Sequence, residues 1–284
     1  MFLYLLNYGL IILYMLFFLN AKKDKKEKVK KILFVVSVIQ IVCLLGLRGL
    51  DIGSDLPFYW KYYDLQQNYE ITNLSFSRYE LFFKLLTKGI TLITLNKQFY
   101  LFAISVLSIV PIAMIVYKYS KNPFLSLLLF MSFGFYHFDF SGLRQAIAFA
   151  LTFYSFRYIK QQKLLKYILT ILFATLFHKS ALIFFPAYFL KNIKITKAKI
   201  YFLVLVDVFI YLFKVQIFNF VNRFFYDEYS LSVSDSYTWM IMCLFVLCFC
   251  FLFYKKVVKE NNSVLFNLVI VVTTIMLLSP IASN

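Results

Sequence analysis

Long apolar runs, each close to the length of a membrane-spanning helix, recur along the chain and are separated by short polar segments. A transmembrane helix needs about 20 predominantly apolar residues, so this pattern is typical of multi-pass membrane proteins. The predicted crossings are 2–19, 32–50, 99–117, 123–140, 142–159, 200–214, 238–254 and 264–280. We therefore predict an all-α fold, a polytopic transmembrane helical bundle of about 8–10 membrane helices. We expect it to form a single integral membrane domain over 1–284.

Two further apolar segments differ from these crossings. The segment 81–95 (LFFKLLTKGITLITL) carries Lys84 and Lys88 four residues apart, on one face of a helix, which predicts an amphipathic helix at the membrane interface. The segment 167–190 is apolar at both ends but is interrupted near its middle by the polar sequence around His178. It is either a re-entrant hairpin or a single kinked helix, and the residues leave both interpretations open.

The composition supports a membrane protein and not a soluble one. Hydrophobic residues make up 62% of the chain and the mean hydropathy is +0.77, whereas soluble domains contain about 45–50% apolar residues. The net charge of +17 raises the alternative of nucleic-acid binding, so the location of the charges decides. Twenty of the 30 Lys and Arg residues lie in five short segments between apolar runs: 20–31, 117–122, 157–166, 191–199 and 255–260. This is the positive-inside pattern, and we expect no nucleic-acid partner.

The basic segments also predict the orientation of the chain, because such loops stay in the cytoplasm. The first run, 2–19, precedes its basic cluster and lacks a small-residue cleavage site, which predicts a retained anchor with the N-terminus outside. The polar and aromatic stretch 51–80 then lies outside, and 140–145 forms a tight outer hairpin.

Ionisable and amide side chains gather at the outer ends of the predicted helices. An ionisable group at membrane depth costs about 2.5–3.5 kcal/mol on insertion scales, so such residues often mark a functional site. The candidates are Arg48, Asp51, Asp55, Tyr59, Arg144, Gln145 and His178. They predict an outward-facing polar cavity.

Several of these residues also have a purely structural interpretation. Arg48 can extend from a helix end to the lipid headgroups, and Asp51 and Asp55 can cap a short helix. Four other polar residues are interpreted as interfacial or loop residues: Arg78, Glu80, His137 and Asp139.

The candidate chemistry is attack on a phosphate-linked group. The planar guanidinium of arginine pairs with phosphate oxygens at two points. A histidine or aspartate nearby can take a proton from an attacking sugar hydroxyl. The sequence contains no cluster of carboxylates or histidines with metal-ligand spacing, so we expect no metal and no cofactor.

The order and spacing of several short motifs resemble the EpsG/Wzy-like family of membrane exopolysaccharide and O-antigen polymerases. They cover roughly 45–190, about half of the chain. The matching residues are Arg48, Gly53, Ser54, Asp55 and Tyr59, then Glu80 in Y-E-L-F, Gly142, Arg144 and Gln145 in G-L-R-Q, and Phe177, His178, Ser180 and Ala181.

The resemblance implies polymerisation of undecaprenyl-diphosphate-linked oligosaccharide repeat units at the outer face of the bacterial cytoplasmic membrane. It implies that Arg48 and Arg144 hold the diphosphate and that Asp55 or His178 activates the acceptor hydroxyl. Three further substrate-binding residues are implied: Gln145, Tyr59 and Glu80. Expected partners are the lipid-linked glycan, the bilayer, and flippase and chain-length regulator proteins. The C-terminal S-P-I-A-S-N departs from the family pattern, in which another crossing follows, and predicts a chain shortened at that end.

Two other functions stay open at this point. One is a membrane O-acyltransferase that modifies extracytoplasmic glycans with His178 as the base. The other is a lipid-linked-sugar transporter, which would carry charges along a path through both leaflets. The predicted outward bias of the charges argues against the transporter.

Overall fold

A computed structural model of the chain describes residues 2–68 and 79–192. Beyond these it describes only short stretches and single positions: 205–206, 209, 212–213, 215–217, 231–233, 245, 248, 252 and 281–283. Three predicted crossings therefore lie mostly or wholly outside the described residues: 200–214, 238–254 and 264–280.

The described part of the chain is almost entirely helical, which confirms the predicted all-α class. The α-helices are α1 (Phe2–Asn20), α2 (Lys26–Gly46), α3 (Leu56–Asn68), α4 (Leu81–Ile93), α5 (Lys97–Tyr119), α6 (Pro123–Ser132), α7 (Phe135–Ser141), α8 (Leu143–Lys160) and α9 (Leu164–Thr175). A 3₁₀ segment, Lys179–Asn192, follows α9.

Among the described residues, three helices, α1, α2 and α5, are long and apolar enough to cross a membrane. Their bounds confirm the first three predicted crossings, although α2 begins at Lys26, inside the lysine cluster. The predicted crossing over 123–140 is divided into two helices, α6 and α7, which meet at a bend of 56° and together are apolar enough for one broken span. Gly134 stands at the bend with a φ of 81°, a conformation that favours glycine and ends α6.

Two of the segments that were not predicted to cross the membrane contain helices. The segment 81–95 forms the helix α4 over Leu81–Ile93, as the spacing of Lys84 and Lys88 predicted, and its position at the membrane interface stays a prediction. The stretch 51–80 is the polar and aromatic segment that the sequence places outside the membrane. Within it, Leu56–Asn68 forms the helix α3. Three tyrosines of α3, Tyr59, Tyr62 and Tyr63, are buried, so this helix is stabilised by packing.

The chain divides into two compact units, Met1–Phe185 and Pro186–Asn284. In the second unit, the strands β1 (Leu231–Val233) and β2 (Ile281–Ser283) pair antiparallel, with Leu231 opposite Ser283. A single membrane domain over 1–284 stays a prediction.

The first unit contains two apolar cores. One core joins α1 and α2 with the second half of α5, with α6 and α7, and with Ala150 of α8. The other joins α3 and α4 with the first halves of α5 and α8 and the end of α9, and is rich in tyrosine. Helices α5 and α8 contribute to both cores. Glu80, Arg144 and His178 border the second core, since their neighbours Tyr79, Leu143 and Phe177 belong to it or pack against it.

Candidate functional site

Glu80 is the centre of a hydrogen-bonded group of four side chains. Its Oε2 accepts from Nη1 of Arg144 at 2.5 Å, and its Oε1 lies 3.0 Å from Nδ1 of His178. Nε2 of His178 in turn lies 3.0 Å from Nε2 of Gln145. We call Glu80, Arg144, Gln145 and His178 the Glu80 cluster. The structure thus brings together residues from three parts of the chain, and the hydrogen-bonded pairs are 33 to 98 positions apart in sequence.

The start of α8 positions two members of this cluster. Gly142 ends α7, and its carbonyl oxygen accepts the first helical hydrogen bond of α8, from the backbone nitrogen of Ala146. Arg144 and Gln145 therefore lie in the first turn of α8, which contains no acidic residue. A cation at the positive end of a helix dipole is unfavourable. Glu80, from another segment, supplies the compensating negative charge.

The interruption predicted near His178 is confirmed and positions the other two members. Helix α9 ends at Thr175, and the 3₁₀ segment begins at Lys179. The backbone nitrogen of Lys179 donates to Oε1 of Glu80 at 3.3 Å. The backbone nitrogen of Phe82 donates to the carbonyl oxygen of Leu176 at 3.0 Å, which fixes the start of α4, next to Glu80, against the break.

The Glu80 cluster is largely removed from solvent. The exposed fractions are 9% for the Glu80 side chain, 15% for Arg144 and 4% for His178. Burial by itself raises the pKa of Glu80, but the hydrogen bond to His178 and the charge of Arg144 outweigh it. Together they lower the pKa of Glu80 from 4.5 to about 2. Glu80 is therefore ionised at neutral pH.

Two tyrosines form an aromatic wall beside Arg144. The guanidinium carbon of Arg144 lies 4.6 Å from the ring centroid of Tyr79, a cation–π distance. The ring of Tyr59 stacks on Tyr79 with 5.8 Å between centroids, and Tyr59 also hydrogen-bonds Arg144. Burial raises the pKa of Tyr59, while the charge of Arg144 opposes this effect. Tyr59 and Tyr79 therefore lie directly beside the Glu80 cluster, in contact with Arg144.

Arg48 has a different environment from Arg144. It lies two residues beyond α2 and is 6% exposed, and within residues 2–68 and 79–192 it donates only to backbone carbonyls. Nη1 donates to Leu45 at 2.8 Å, Nη2 to Phe140 at 2.9 Å and Nε to Ile52 at 3.0 Å. We call this arrangement the Arg48 anchor. It joins the end of α2 to the following loop and to α7, and its contact with a diphosphate stays a prediction.

Asp55 lies in the same loop as the Arg48 anchor and is exposed. Its Oδ1 accepts from the hydroxyl of Ser54 at 3.1 Å, and the backbone nitrogen of Ser54 donates to Ser141 at 3.1 Å. Gly53 has a φ of +138°, and a Cβ there would collide with the carbonyl oxygen of Phe140. Within residues 2–68 and 79–192, no hydrogen bond or ion pair joins Asp55 to the Glu80 cluster, and its catalytic role stays a prediction.

Two residues near the candidate residues, Tyr79 beside Arg144 and Asp139 near Arg48, were not predicted to be functional. Tyr79 precedes Glu80 directly in the Y-E-L-F motif, and this adjacency was the available signal. Asp139, interpreted as an interfacial or loop residue, is 3% exposed on α7, and its Oδ2 makes no hydrogen bond. Glu80 is a loop residue, as interpreted, but it is buried in the cluster. Arg78 lies outside the described residues.

The geometry offers a base, an anion-binding cation and a carboxylate that connects them. Nδ1 of His178 faces a carboxylate, the arrangement that orients imidazole bases in many enzymes. Nε of Arg144 is buried and makes no hydrogen bond, so this donor is available to an anionic ligand. Within the described part of the chain, no group of three or more His, Cys, Asp and Glu residues is arranged to hold a metal ion.

The fold and this cluster define a helical membrane protein with a polar site beside a broken helix. The model of the EpsG family matches residues 31–284. The chain therefore belongs to the EpsG family, which confirms the resemblance seen in the motifs. The matched region begins within α2 and includes the whole Glu80 cluster. The family is membrane-bound and is associated with polysaccharide polymerase activity. No curated protein and no solved structure matches the chain.

Proposed function

We propose that this protein polymerises undecaprenyl-diphosphate-linked oligosaccharide repeat units into a capsular, exo- or O-antigen polysaccharide. The reaction takes place at the outer face of the bacterial cytoplasmic membrane, with the N-terminus of the protein outside. Flippase and chain-length regulator proteins are its expected partners. The observation that carries the proposal is the Glu80 cluster. In it, one carboxylate contacts both Arg144, at the start of α8, and His178, in the break after α9.

In the proposed reaction, His178 acts as the general base. A hydroxyl of the acceptor sugar gives its proton to Nε2 of His178 while its oxygen forms a bond to the anomeric carbon of the donor glycan. The bond between that carbon and the diphosphate oxygen breaks, and its electron pair leaves with the diphosphate. Glu80 accepts the hydrogen bond from Nδ1 of His178, so it stabilises the imidazolium that forms.

Arg144 is the proposed contact for the diphosphate. Its Nη1 stays on Glu80, and the unused, buried Nε donor can bind a phosphate oxygen. The low dielectric of a buried site strengthens such an interaction. Tyr59 and Tyr79 hold the guanidinium plane in place, as their contacts with it indicate. These contacts support the predicted substrate-binding roles of Arg144 and Tyr59.

His178 is a better candidate for the base than Asp55. His178 is hydrogen-bonded to Glu80, and the same carboxylate pairs with Arg144. Glu80 therefore holds the proposed base and the proposed phosphate ligand close together. Asp55 is exposed and hydrogen-bonded to its neighbour Ser54. We therefore place His178 at the reacting hydroxyl and keep Asp55 as the alternative that the following experiment tests.

The experiment is complementation of a strain from which this protein has been deleted. The variants are Arg144→Ala, His178→Gln and Asp55→Asn, and the readouts are gel sizing of the surface glycan and the amount of protein in the membrane. We expect Arg144→Ala and His178→Gln to leave single repeat units in place of long polymer, at normal protein levels. Asp55→Asn keeps long polymer if His178 is the base.

His137→Gln is the matched control for His178→Gln. The chain has only these two histidines, and His137 is exposed and outside the cluster. It should retain normal chain length. Long polymer in a strain that carries His178→Gln would remove His178 as the base. Normal chain length with altered acetylation in the deletion strain would instead support the O-acyltransferase.

A further inference from the structure

The hydrogen bonds of the Glu80 cluster define which nitrogen of His178 carries a proton. Glu80 is an ionised carboxylate and can only accept, so Nδ1 of His178 must donate to it. The side-chain nitrogen of Gln145 can only donate, so Nε2 of His178 must present its lone pair. His178 is therefore the neutral tautomer with its proton on Nδ1. Its basic nitrogen, Nε2, is already occupied by the amide of Gln145.

A base whose lone pair accepts a hydrogen bond from an amide cannot at the same time accept a proton from a sugar. We propose that Gln145 is a removable cap on Nε2 of His178, and that the acceptor hydroxyl takes the place of its amide nitrogen. This inference rests on the proposed polymerase function. It assigns Gln145 a positioning role and locates the acceptor hydroxyl at one atom, Nε2 of His178.

The exchange of one donor for another is energetically reasonable. Nε2 accepts one hydrogen bond from the amide before the exchange and one from the hydroxyl after it, so no buried polar atom is left unpaired. His178 is 3% exposed, so an empty position beside Nε2 would be costly. The cap therefore occupies this position when no acceptor is bound.

The backbone at Gly142 leaves room for the cap. A Cβ at Gly142 would lie 2.9 Å from Oε1 of Gln145, closer than ordinary van der Waals contact. The φ of Gly142 is −85°, a value that alanine also adopts, so the lack of a side chain matters here for space. Gly142→Ala should therefore move the amide of Gln145 away from His178 without removing any polar group.

The cap has a chemical consequence, because water is also a hydroxyl nucleophile. If water reached Nε2 of His178, it would give its proton to the imidazole and attack the anomeric carbon, which would release free glycan and the lipid diphosphate. An amide at this position excludes water until an acceptor sugar replaces it. The cap thus favours transfer over hydrolysis.

The first test uses the purified full chain in lipid nanodiscs with a lipid-linked repeat unit whose acceptor hydroxyl is chemically blocked. We expect Gln145→Ala to hydrolyse this donor about tenfold faster than the unsubstituted protein, and Gly142→Ala to do so by a smaller factor. Gln161→Ala, the same change at the C-terminal end of α8, should leave hydrolysis unchanged. Hydrolysis by Gln145→Ala at the unsubstituted rate, in a protein that polymerises unblocked donor, would overturn the cap.

The second test does not depend on activity. In a His137→Gln background, His178 is the only histidine, and solid-state ¹⁵N NMR of histidine-labelled protein reports its two ring nitrogens. We expect a protonated Nδ1 and an unprotonated Nε2, with the Nε2 signal shifted by Gln145→Ala. A protonated Nε2 would overturn the cap. If the unsubstituted protein transfers no glycan, the proposed function fails, and the NMR result still decides the hydrogen bond between Gln145 and His178.

Discussion

Arg48, which is buried, and Arg144, whose side chain is 15% exposed, both lie near helix ends, but their hydrogen-bond partners differ. Arg48 donates to three backbone carbonyls, which are neutral and belong to three separate segments. Arg144 pairs with the ionised side chain of Glu80, and its Nε makes no hydrogen bond. The first arrangement joins pieces of the fold. The second keeps a charged pair with one unused donor, which suits a residue that binds a ligand.

This difference shows how a structural arginine can be told from a functional one. A carbonyl oxygen that loses its donor stays buried and unpaired, so replacing Arg48 mainly costs stability. A carboxylate that loses Arg144 stays charged, and a ligand loses its cation, so replacing Arg144 affects the reaction. Substitutions at the two arginines and at their neighbours can test this contrast.

Arg144→Lys should nearly abolish polymerisation. Lysine has no planar pair of donors and cannot reproduce the contacts with Glu80, Tyr59 and Tyr79. We expect the rate of glycan transfer to fall by about 10²–10³-fold, the usual cost of removing one donor that stabilises developing charge. The measurement is transfer with purified protein in nanodiscs. Transfer within a factor of about two of the unsubstituted rate would contradict the comparison.

Arg48→Gln should reduce stability and leave the chemistry of the folded protein intact. Glutamine cannot reach the three carbonyls together, and each buried group left unpaired costs about 1–3 kcal/mol. We expect a lower midpoint of thermal unfolding in detergent, with transfer per folded molecule nearly unchanged.

Gly53→Ala is the matched variant for the Arg48 anchor, because its Cβ would collide with the same carbonyl of Phe140 that accepts from Arg48. It should lower the unfolding midpoint in the same direction. If Arg48→Gln instead abolished transfer at an unchanged midpoint, Arg48 would be a diphosphate ligand, as the family resemblance implied.

The contacts of Glu80 with His178 and Arg144 should also make stability depend on pH. The folded protein lowers the pKa of Glu80 from 4.5 to about 2. The ionised carboxylate therefore contributes stability that is fully present above about pH 4.5 and is lost as the pH falls through about 2. We expect the unfolding midpoint to decrease across this range. Glu80→Gln should show a shallower decrease, and an equal slope in both proteins would contradict the assigned pair.

Tyr59→Phe should have the smallest effect of this series. It removes one hydroxyl from Arg144 but keeps the ring that stacks on Tyr79. A single hydrogen bond to a charged group contributes about 1.5–3 kcal/mol, so we expect transfer to fall by at most about 10²-fold. The Michaelis constant for the donor should account for most of this fall. A larger loss in the turnover number would make Tyr59 part of the chemistry.

The sequence predicted those parts of the fold that depend on apolar length. Helices α1 and α5 follow directly from uninterrupted apolar runs, and the break near His178 follows from polar residues within such a run. The sequence allowed a short helix after Asp51 and Asp55 but did not define Leu56–Asn68, because its aromatic residues are mixed with polar ones and form no long apolar stretch. Its tyrosines become core residues only by packing against α4 and α5.

The sequence predicted most residues of the candidate site but not which of them contact each other. Arg144, Gln145 and His178 stood out because polar side chains are costly in apolar segments. The central position of Glu80 could not be predicted, since its partners are 64 and 98 residues away. Nor does the sequence distinguish Arg48 from Arg144, because the two differ in tertiary partners and not in local pattern.

The break between α9 and the 3₁₀ segment also bears on protein engineering. In an uninterrupted α-helix, the backbone nitrogen of Lys179 would bond to the carbonyl of Thr175, whereas here it donates to Glu80. Substitutions chosen to improve helix propensity at Phe177 or Ser180 would favour the straight helix and withdraw that donor. Directed evolution for heat tolerance alone should therefore select against glycan synthesis at these positions.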